Sequence, residues 1–291
     1  MPQSNTVLYK EKLSDDVYLM RIKNSLIAEE RKAGQFIILQ VDEEYGERIP
    51  LTIADADTSE ESITIIFQVV GKTTSILSQL NVGDNLQGLL GPLGEPTHIE
   101  NYGRVVCVGG GIGVAPLHPI AEALKNAGNH VTTIIGARNK DLVILEDKMR
   151  QLSDELIICT DDGSAGRKAL VTEPLKEICN SENKPNMVIA IGPPIMMKFC
   201  SLTTKEFDVQ TMVSLNSIMI DGTGMCGGCR VSVGGKPKFV CVDGPEFDGH
   251  QVDFDNLMAR LNVYKNRERQ YCEEENCHLE RKIREKELEG K

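Results

Sequence analysis

The apolar pattern of this chain changes rhythm at Tyr102-Gly103, and that change limits the chain to a small set of architectures. Before it, from Thr6 to about Ile99, short alternating runs are broken by turn signals: Val17 to Ile22, Gln35 to Val41, Ser62 to Val70, then Gly83-Asp84 and Leu86 to Leu90. Six or so short strands of this kind predict a small β-barrel over residues 1–99. After it, apolar strand-like runs alternate with helical stretches. Arg104 to Val108, His130 to Gly136, Glu155 to Thr160, Met187 to Ile191 and Gln210 to Leu215 read as strands, with helices around Leu117 to Asn126, Leu145 to Leu152 and Thr172 to Cys179. That alternation predicts an open, mostly parallel α/β domain over residues 102–217.

A third rhythm begins after Leu215. Residues 218–254 are rich in glycine, carry cysteines and lack helical period, so they read as a module wrapped around a cofactor. Residues 255–291 form a charged, helix-compatible tail, and from the residue before it Phe254, Leu257, Met258 and Leu261 recur at helical spacing. That stripe is expected either to pack on its own chain or to face another subunit. With 291 residues and 41% apolar content the chain can bury more than one core, and a net charge of -11 offers no electropositive surface to nucleic acid. No leader pattern and no apolar run of membrane-spanning length is seen, so a cytoplasmic protein with no membrane partner is expected.

Nine cysteines in such a chain are not expected to form a disulfide framework, because cytosolic thiols stay reduced. Cys107, Cys159, Cys179 and Cys200 stand singly in apolar surroundings and read as small buried hydrophobes. Cys226, Cys229 and Cys241 fall among glycines, where no apolar face needs them. Asp221, Cys226 and Cys229 reproduce the x4, x2 spacing of a plant-type [2Fe-2S] loop, and Cys241 supplies the distant ligand. The departure is Asp221, a carboxylate where a cysteine is usual. The same thiolates also suit zinc, completed by His250 or Asp221. Cys272 and Cys277, near His278, have x4 spacing but no second half.

Gly109-Gly110-Gly111-Ile112-Gly113-Val114-Ala115-Pro116 follows a strand and opens a helix, where bare backbone amides can bind a pyrophosphate; a ligand-free tight turn is the plain alternative. The acidic residue that usually ends the second strand of a dinucleotide fold is absent, since that strand ends Gly136-Ala137-Arg138-Asn139. Gly110, Gly111, Gly113 and Pro116, the later Gly192-Pro193-Pro194 and the preceding barrel together resemble the ferredoxin-NADP reductase superfamily. That resemblance implies a flavin on the barrel and a nicotinamide laid against it by the α/β domain. Arg48-Ile49-Pro50-Leu51-Thr52 resembles the first flavin segment, making Arg48 a candidate for the flavin phosphates and Thr52 for the isoalloxazine, with Pro50 and Leu51 beside them. Gly71-Lys72-Thr73-Thr74 resembles the second, with plain N-capping as the alternative for the threonines.

A cluster module placed after the nucleotide domain narrows the resemblance to the electron-transfer subunits of dihydroorotate dehydrogenase and, more closely, to the small subunits of NADH-dependent reduced ferredoxin:NADP oxidoreductase. Four cysteines are expected in the former, so Asp221 separates the two. The resemblance implies FAD, a [2Fe-2S] cluster and NAD(H), a larger FAD and [4Fe-4S] partner subunit, and ferredoxin as electron partner of the complex. Asp161 and Asp162 follow the third strand, where NADP-specific relatives commonly carry basic residues; carboxylates there predict NAD(H), with Arg138 and Arg167 as counter-signals. A non-catalytic nucleotide-binding protein with structural zinc is the competing reading. His98 and His118 lie near the proposed segments but read as packing or hydrogen-bonding residues.

Overall fold

The computed structural model describes residues 4–41 and 47–264. Its first part is a six-stranded antiparallel sheet of β1 (Val7–Ser14), β2 (Val17–Lys23), β3 (Phe36–Gln40), β4 (Arg48–Asp57), β5 (Ser62–Gln68) and β6 (Gly88–Leu93), in the order β1-β2-β5-β4-β3-β6. Two short helices, α1 (Ser25–Glu30) and α2 (Lys72–Leu77), interrupt it. The sheet curls shut: the Val7 amide donates to Asp84, the Gly83 amide to Val7 and the Leu86 amide to Asn5, so the run into β6 meets the run into β1. β4 makes the corner. Arg48 to Thr52 pair with β3, and Ile53 to Asp57 pair with β5. Inside lie Met20, Ile22, Ile37, Leu39, Ile53, Ile63, Ile65 and Phe67, the inward residues of a strand's two-residue period.

The second sheet comprises β7 (Arg104–Gly110), β8 (His130–Ala137), β9 (Glu155–Thr160), β10 (Arg167–Lys168), β11 (Met187–Ile191) and β12 (Gln210–Ser214), all parallel, in the order β10-β9-β8-β7-β11-β12. Helices α3 (Val114–Asn126) and α4 (Glu146–Leu152) cover one face, against Val105 and Cys107; α5 (Thr172–Cys179) and α6 (Pro194–Lys205) cover the other, against Val106 and Val108. Burial on both faces explains why these strands read as continuous apolar runs. Cys107, Cys159, Cys179 and Cys200 are buried in these layers, as their apolar surroundings predict.

The remaining residues form a hairpin of β13 (Arg230–Val233) and β14 (Lys236–Phe239), the short α7 (Val240–Asp243), β15 (Glu246–Asp248) and α8 (Phe254–Leu261). Sequence period does not reveal β15, which is three residues long and joins β12 antiparallel as the seventh strand of the nucleotide sheet. The module is therefore stitched into the α/β domain by main-chain bonds. The apolar stripe of α8 also differs from one of its expected uses. Phe254 and Leu257 are buried, and Met258 and Leu261 pack against the same core, so the stripe faces this chain and not another subunit. Cys272, Cys277 and His278 lie outside the described residues. Among the described residues no helix is long and apolar enough to cross a membrane.

Candidate functional site

The order of the second sheet reverses between β7 and β11, and ligands of open α/β sheets bind where such a reversal opens a crevice at the carboxyl ends of the strands. The glycine segment ends β7 at this point. A Cβ on Gly113 would lie 2.3 Å from the Ile191 carbonyl oxygen, and one on Gly110 would lie 2.4 Å from Met196 Sδ and 3.2 Å from Pro193 Cδ. Gly192 is as tightly placed on the other side, since a Cβ there would lie 2.8 Å from Met196 Cε and 3.1 Å from the Gly110 Cα. Only glycine allows two strand ends and the start of α3 to meet like this. Gly111 has φ +54° and open space where a side chain would be, so its backbone faces the crevice uncovered. Pro116 sits in the first turn of α3, where a missing N–H costs nothing. The structure thus brings Gly110, Gly111, Gly113, Pro116, Gly192 and Pro193 to one mouth.

Asp161 and Asp162 follow β9, two strands from β7 and therefore about 10 Å away at ordinary strand spacing, within a dinucleotide's reach. Their roles divide. Asp162 accepts from the Ser164 amide at 2.9 Å and hydroxyl at 2.6 Å, and those bonds hold its carboxyl below the usual range. Asp161 is exposed, with its amide tied to the Ala137 carbonyl. Arg167, one of the two counter-signals, is gripped through both guanidinium nitrogens by Glu177.

On the barrel, β4 alternates. Ile49, Leu51 and Ile53 turn toward the core, so Leu51 offers a ligand its backbone. Arg48, Pro50 and Thr52 share the opposite face, and Ile38 and Phe36, the cross-strand partners of Pro50 and Thr52, are buried in a core shared with the cysteine module. The start of α2 comes to the same strand end, Thr73 Oγ1 lying 3.5 Å from Glu47. Gly71 is open and Lys72 half-buried there, but the Thr74 hydroxyl is committed to capping, accepting from the Val70 and Gly71 amides at 3.0 and 3.1 Å. Exposed His98 bonds the Tyr102 hydroxyl at 2.9 Å, and buried His118 meets the Ala54 backbone.

The cysteine loop sits directly on the barrel. A Cβ on Gly222 (φ +74°) would lie 2.5 Å from Ile38 Cγ1 and 3.0 Å from Leu93 Cδ1. Its four predicted ligands do not converge on a single point. Asp221 accepts from the Thr223 amide at 2.8 Å and the Cys226 amide at 2.7 Å, and the Thr223 bond foremost holds its carboxyl below the usual range. Cys229 and Cys241, both buried, have sulfurs 3.2 Å apart. Burial first, and Cys229 next, push the Cys241 thiol up to about 12, so a thiolate there requires a cation to take its charge. Among the described residues no three His, Cys, Asp or Glu side chains are grouped to hold a single metal ion. Zinc needs such a convergence, and His250 is engaged by Thr204 through Nε2 at 3.0 Å. A two-iron cluster takes its ligands two to each iron, and Cys229 and Cys241, whose sulfurs touch, suit one of the two.

Residues 216–253 match the iron-sulfur cluster binding domain of dihydroorotate dehydrogenase B, and residues 107–201 match the oxidoreductase NAD-binding domain. A Thermotoga maritima protein described as dihydroorotate dehydrogenase B (NAD(+)), electron transfer subunit homolog, is 49% identical over 91% of this chain and 93% of its own. The chain belongs to the dihydroorotate dehydrogenase B electron transfer subunit family. The Streptococcus mutans electron transfer subunit is 33% identical over 88% of this chain and 99% of its own. A chain of the NADH-dependent reduced ferredoxin-NADP oxidoreductase structure, studied for flavin-based electron bifurcation, superimposes with a TM-score of 0.88 at 46% identity, covering 94% of this chain and 98% of that one. A Neisseria gonorrhoeae ferredoxin NADP+ reductase with bound FAD and NADP shares the fold at a TM-score of 0.59 and 17% identity, over 71% of this chain and 91% of that one. The barrel, the crevice and the cysteine loop are thus the parts of a family member, arranged around one junction.

Proposed function

We propose that this chain is an electron-transfer flavoprotein subunit that passes electrons between NAD(H), FAD and a [2Fe-2S] cluster, and on to a larger partner subunit. The observation that carries the reading is the seating of Gly222 on Ile38 and Leu93, which puts the cysteine loop against the same barrel face that bears Thr52. A nicotinamide gives up a hydride and an iron-sulfur cluster takes single electrons, and a flavin, when bound, supplies the exchange between the two. The chain's own residues do the positioning. The Gly110 to Gly113 backbone and Gly192-Pro193 hold the pyrophosphate, Asp161 orients the ribose, and Arg48, Pro50, Thr52 and Gly71 to Thr73 hold the flavin. Asp221, Cys226, Cys229 and Cys241 hold the cluster.

The partner is a subunit with its own FAD and [4Fe-4S] clusters, and the complex exchanges electrons with ferredoxin in the cytoplasm. The likeness to the ferredoxin-NADP oxidoreductase chain and the carboxylate at Asp221 favour this over a dihydroorotate-oxidising complex, which the names of other relatives favour. The test is anaerobic purification from the native source with flavin, iron and acid-labile sulfide analysis. One FAD and two irons per chain, with a co-purifying subunit rich in iron, are expected. Zinc in place of iron and sulfide rejects the reading, and dihydroorotate-dependent reduction of the purified complex moves it to the second.

A further inference from the structure

Two arginines close on the Cys226 to Cys229 loop from outside. Arg230 Nη1 donates to the Gly227 carbonyl at 3.2 Å, and Arg260 Nη2 donates to the Gly228 carbonyl at 3.1 Å. These carbonyls belong to the two consecutive peptides that span the pair of glycines between the cysteines. A peptide is planar, so gripping its oxygen fixes where its N–H points. The peptide held by Arg230 is the one whose N–H, on Gly228, donates to Cys226 Sγ at 3.4 Å. Each guanidinium therefore brings a positive charge to the loop and also polarises the amide beyond the carbonyl it grips.

The aim of Arg260 is built in. It lies in the last turn of α8, and Asp253 caps that helix by accepting from the Asn256 amide at 3.0 Å while its own amide donates to Ser232 in β13. Phe254 and Leu257 bury one face, and Lys198 pairs with Asp255 at 2.7 Å. A helix pinned at its start, along one side and to α6 can present a side chain in one direction. Neither Arg230 nor Arg260 joins an ion pair among the described residues, although the chain as a whole carries a charge of -11. Two cations without an ion-pair partner among the described residues, beside one loop of an acidic protein, have a use if the loop's occupant gains negative charge.

We infer that Arg230 and Arg260 form a guanidinium clamp that positions the Gly227 and Gly228 peptides and raises the reduction potential of the cluster, with half-buried Arg260 contributing more than exposed Arg230. The inference rests on the cluster assignment above. Taking up one electron adds one negative charge, and fixed cations together with N–H bonds to sulfur favour the more negative state. Screening by water weakens the exposed charge relative to the half-buried one.

The experiment is an EPR-monitored redox titration of the full-length holoprotein, with iron, sulfide and flavin measured on the same samples. Arg260→Met is expected to lower the reduced-to-oxidised ratio of the cluster at a fixed potential by about tenfold, or about 59 mV for a one-electron couple. Arg230→Met moves it less and in the same direction, and the double variant moves it furthest. Arg260→Lys, which keeps the charge, stays near wild type. The flavin potential is unmoved throughout. If Arg260→Met sheds iron, the single Arg230→Met and Arg260→Lys proteins carry the comparison. Intact clusters with unmoved potentials in the double variant overturn the clamp, as does an Arg260→Lys shift as large as that of Met. A wild-type protein without iron and sulfide rejects the cluster assignment itself, a separate result.

Discussion

Thr97 donates its hydroxyl hydrogen to a carboxylate oxygen of Glu246 across 2.6 Å, joining the segment that leaves the barrel to the last strand of the nucleotide sheet. Gly34 closes over the pair, since a Cβ there would lie 2.2 Å from the hydroxyl and 3.1 Å from the carboxylate. Burial pushes the Glu246 carboxyl up to about 7 against the Thr97 bond, which works the other way. The groups that feel its charge, Tyr102 and Cys107, are themselves acids and offer no compensation.

A carboxyl raised in the folded state contributes stability that is complete below its unfolded value and lost as pH rises through its folded one. Unfolding temperature should therefore fall between about pH 4.5 and 7 by a component that Glu246→Gln removes. Thermal melts from pH 5 to 8.5 check this: the variant is expected to gain on wild type as pH rises, and a constant offset across the range would falsify the assignment.

Cys226→Ser, Cys229→Ser and Cys241→Ser should each abolish or strongly alter the cluster while FAD stays bound, because the loop touches the barrel's outer face and the inner barrel core of Met20, Ile37, Ile53 and Ile65 does not include it. Asp221→Cys should keep a cluster with a changed spectrum. Iron, sulfide and visible absorbance decide, and an unchanged Asp221→Cys spectrum removes that residue from the ligand set.

NADH should be the preferred nucleotide. Asp161→Ser is expected to narrow the preference over NADPH by tenfold or more, about 1.4 kcal/mol. Asp162→Ala should weaken both nucleotides alike, because it removes the two Ser164 bonds that shape the loop. Steady-state comparison of the two nucleotides separates these outcomes, and an Asp162 variant that alone switches preference reverses the assignment.

Gly113→Ala forces a methyl to within 2.3 Å of a backbone oxygen, which neither side can yield cheaply. Overpacking of this kind costs about 1–3 kcal/mol. NADH binding by equilibrium titration should be lost with flavin content intact, and an unchanged dissociation constant would place the nucleotide elsewhere.

Leu257→Ala should destabilise the chain by roughly 2–5 kcal/mol, the range for a fully buried leucine. Denaturant unfolding of the isolated subunit measures it. A loss confined to partner binding would restore the other use of the α8 stripe.

The features visible in the sequence are those written in neighbouring residues. The glycines around Gly111, the x4, x2 spacing from Asp221 to Cys229 and the two-sided apolar strands carry their chemistry locally. What stayed hidden depends on distant partners. Glu246 to Asp248 become a strand only because the edge of β12 is free, and Leu257 is core only because α6 and β13 meet it. At Leu51 the motif names a position and not the atoms: the two-residue period of β4 turns its side chain toward the core, and its backbone is what it offers a ligand. Arg260 had no local signal at all, since its target carbonyl lies on a loop reached only through the packing of α8.

The pairing of β15 with β12 also sets an order of assembly. Synthesis runs from the amino end, and domains tend to fold as they emerge. Until residue 248 has left the ribosome, the parallel sheet ends in an unpaired β12 edge, and an open edge is a template for joining another chain. The cysteine loop is completed by Cys241 only shortly before that edge is sealed. A nascent chain of this protein therefore gains its last cysteine ligand and covers its β12 edge at nearly the same moment.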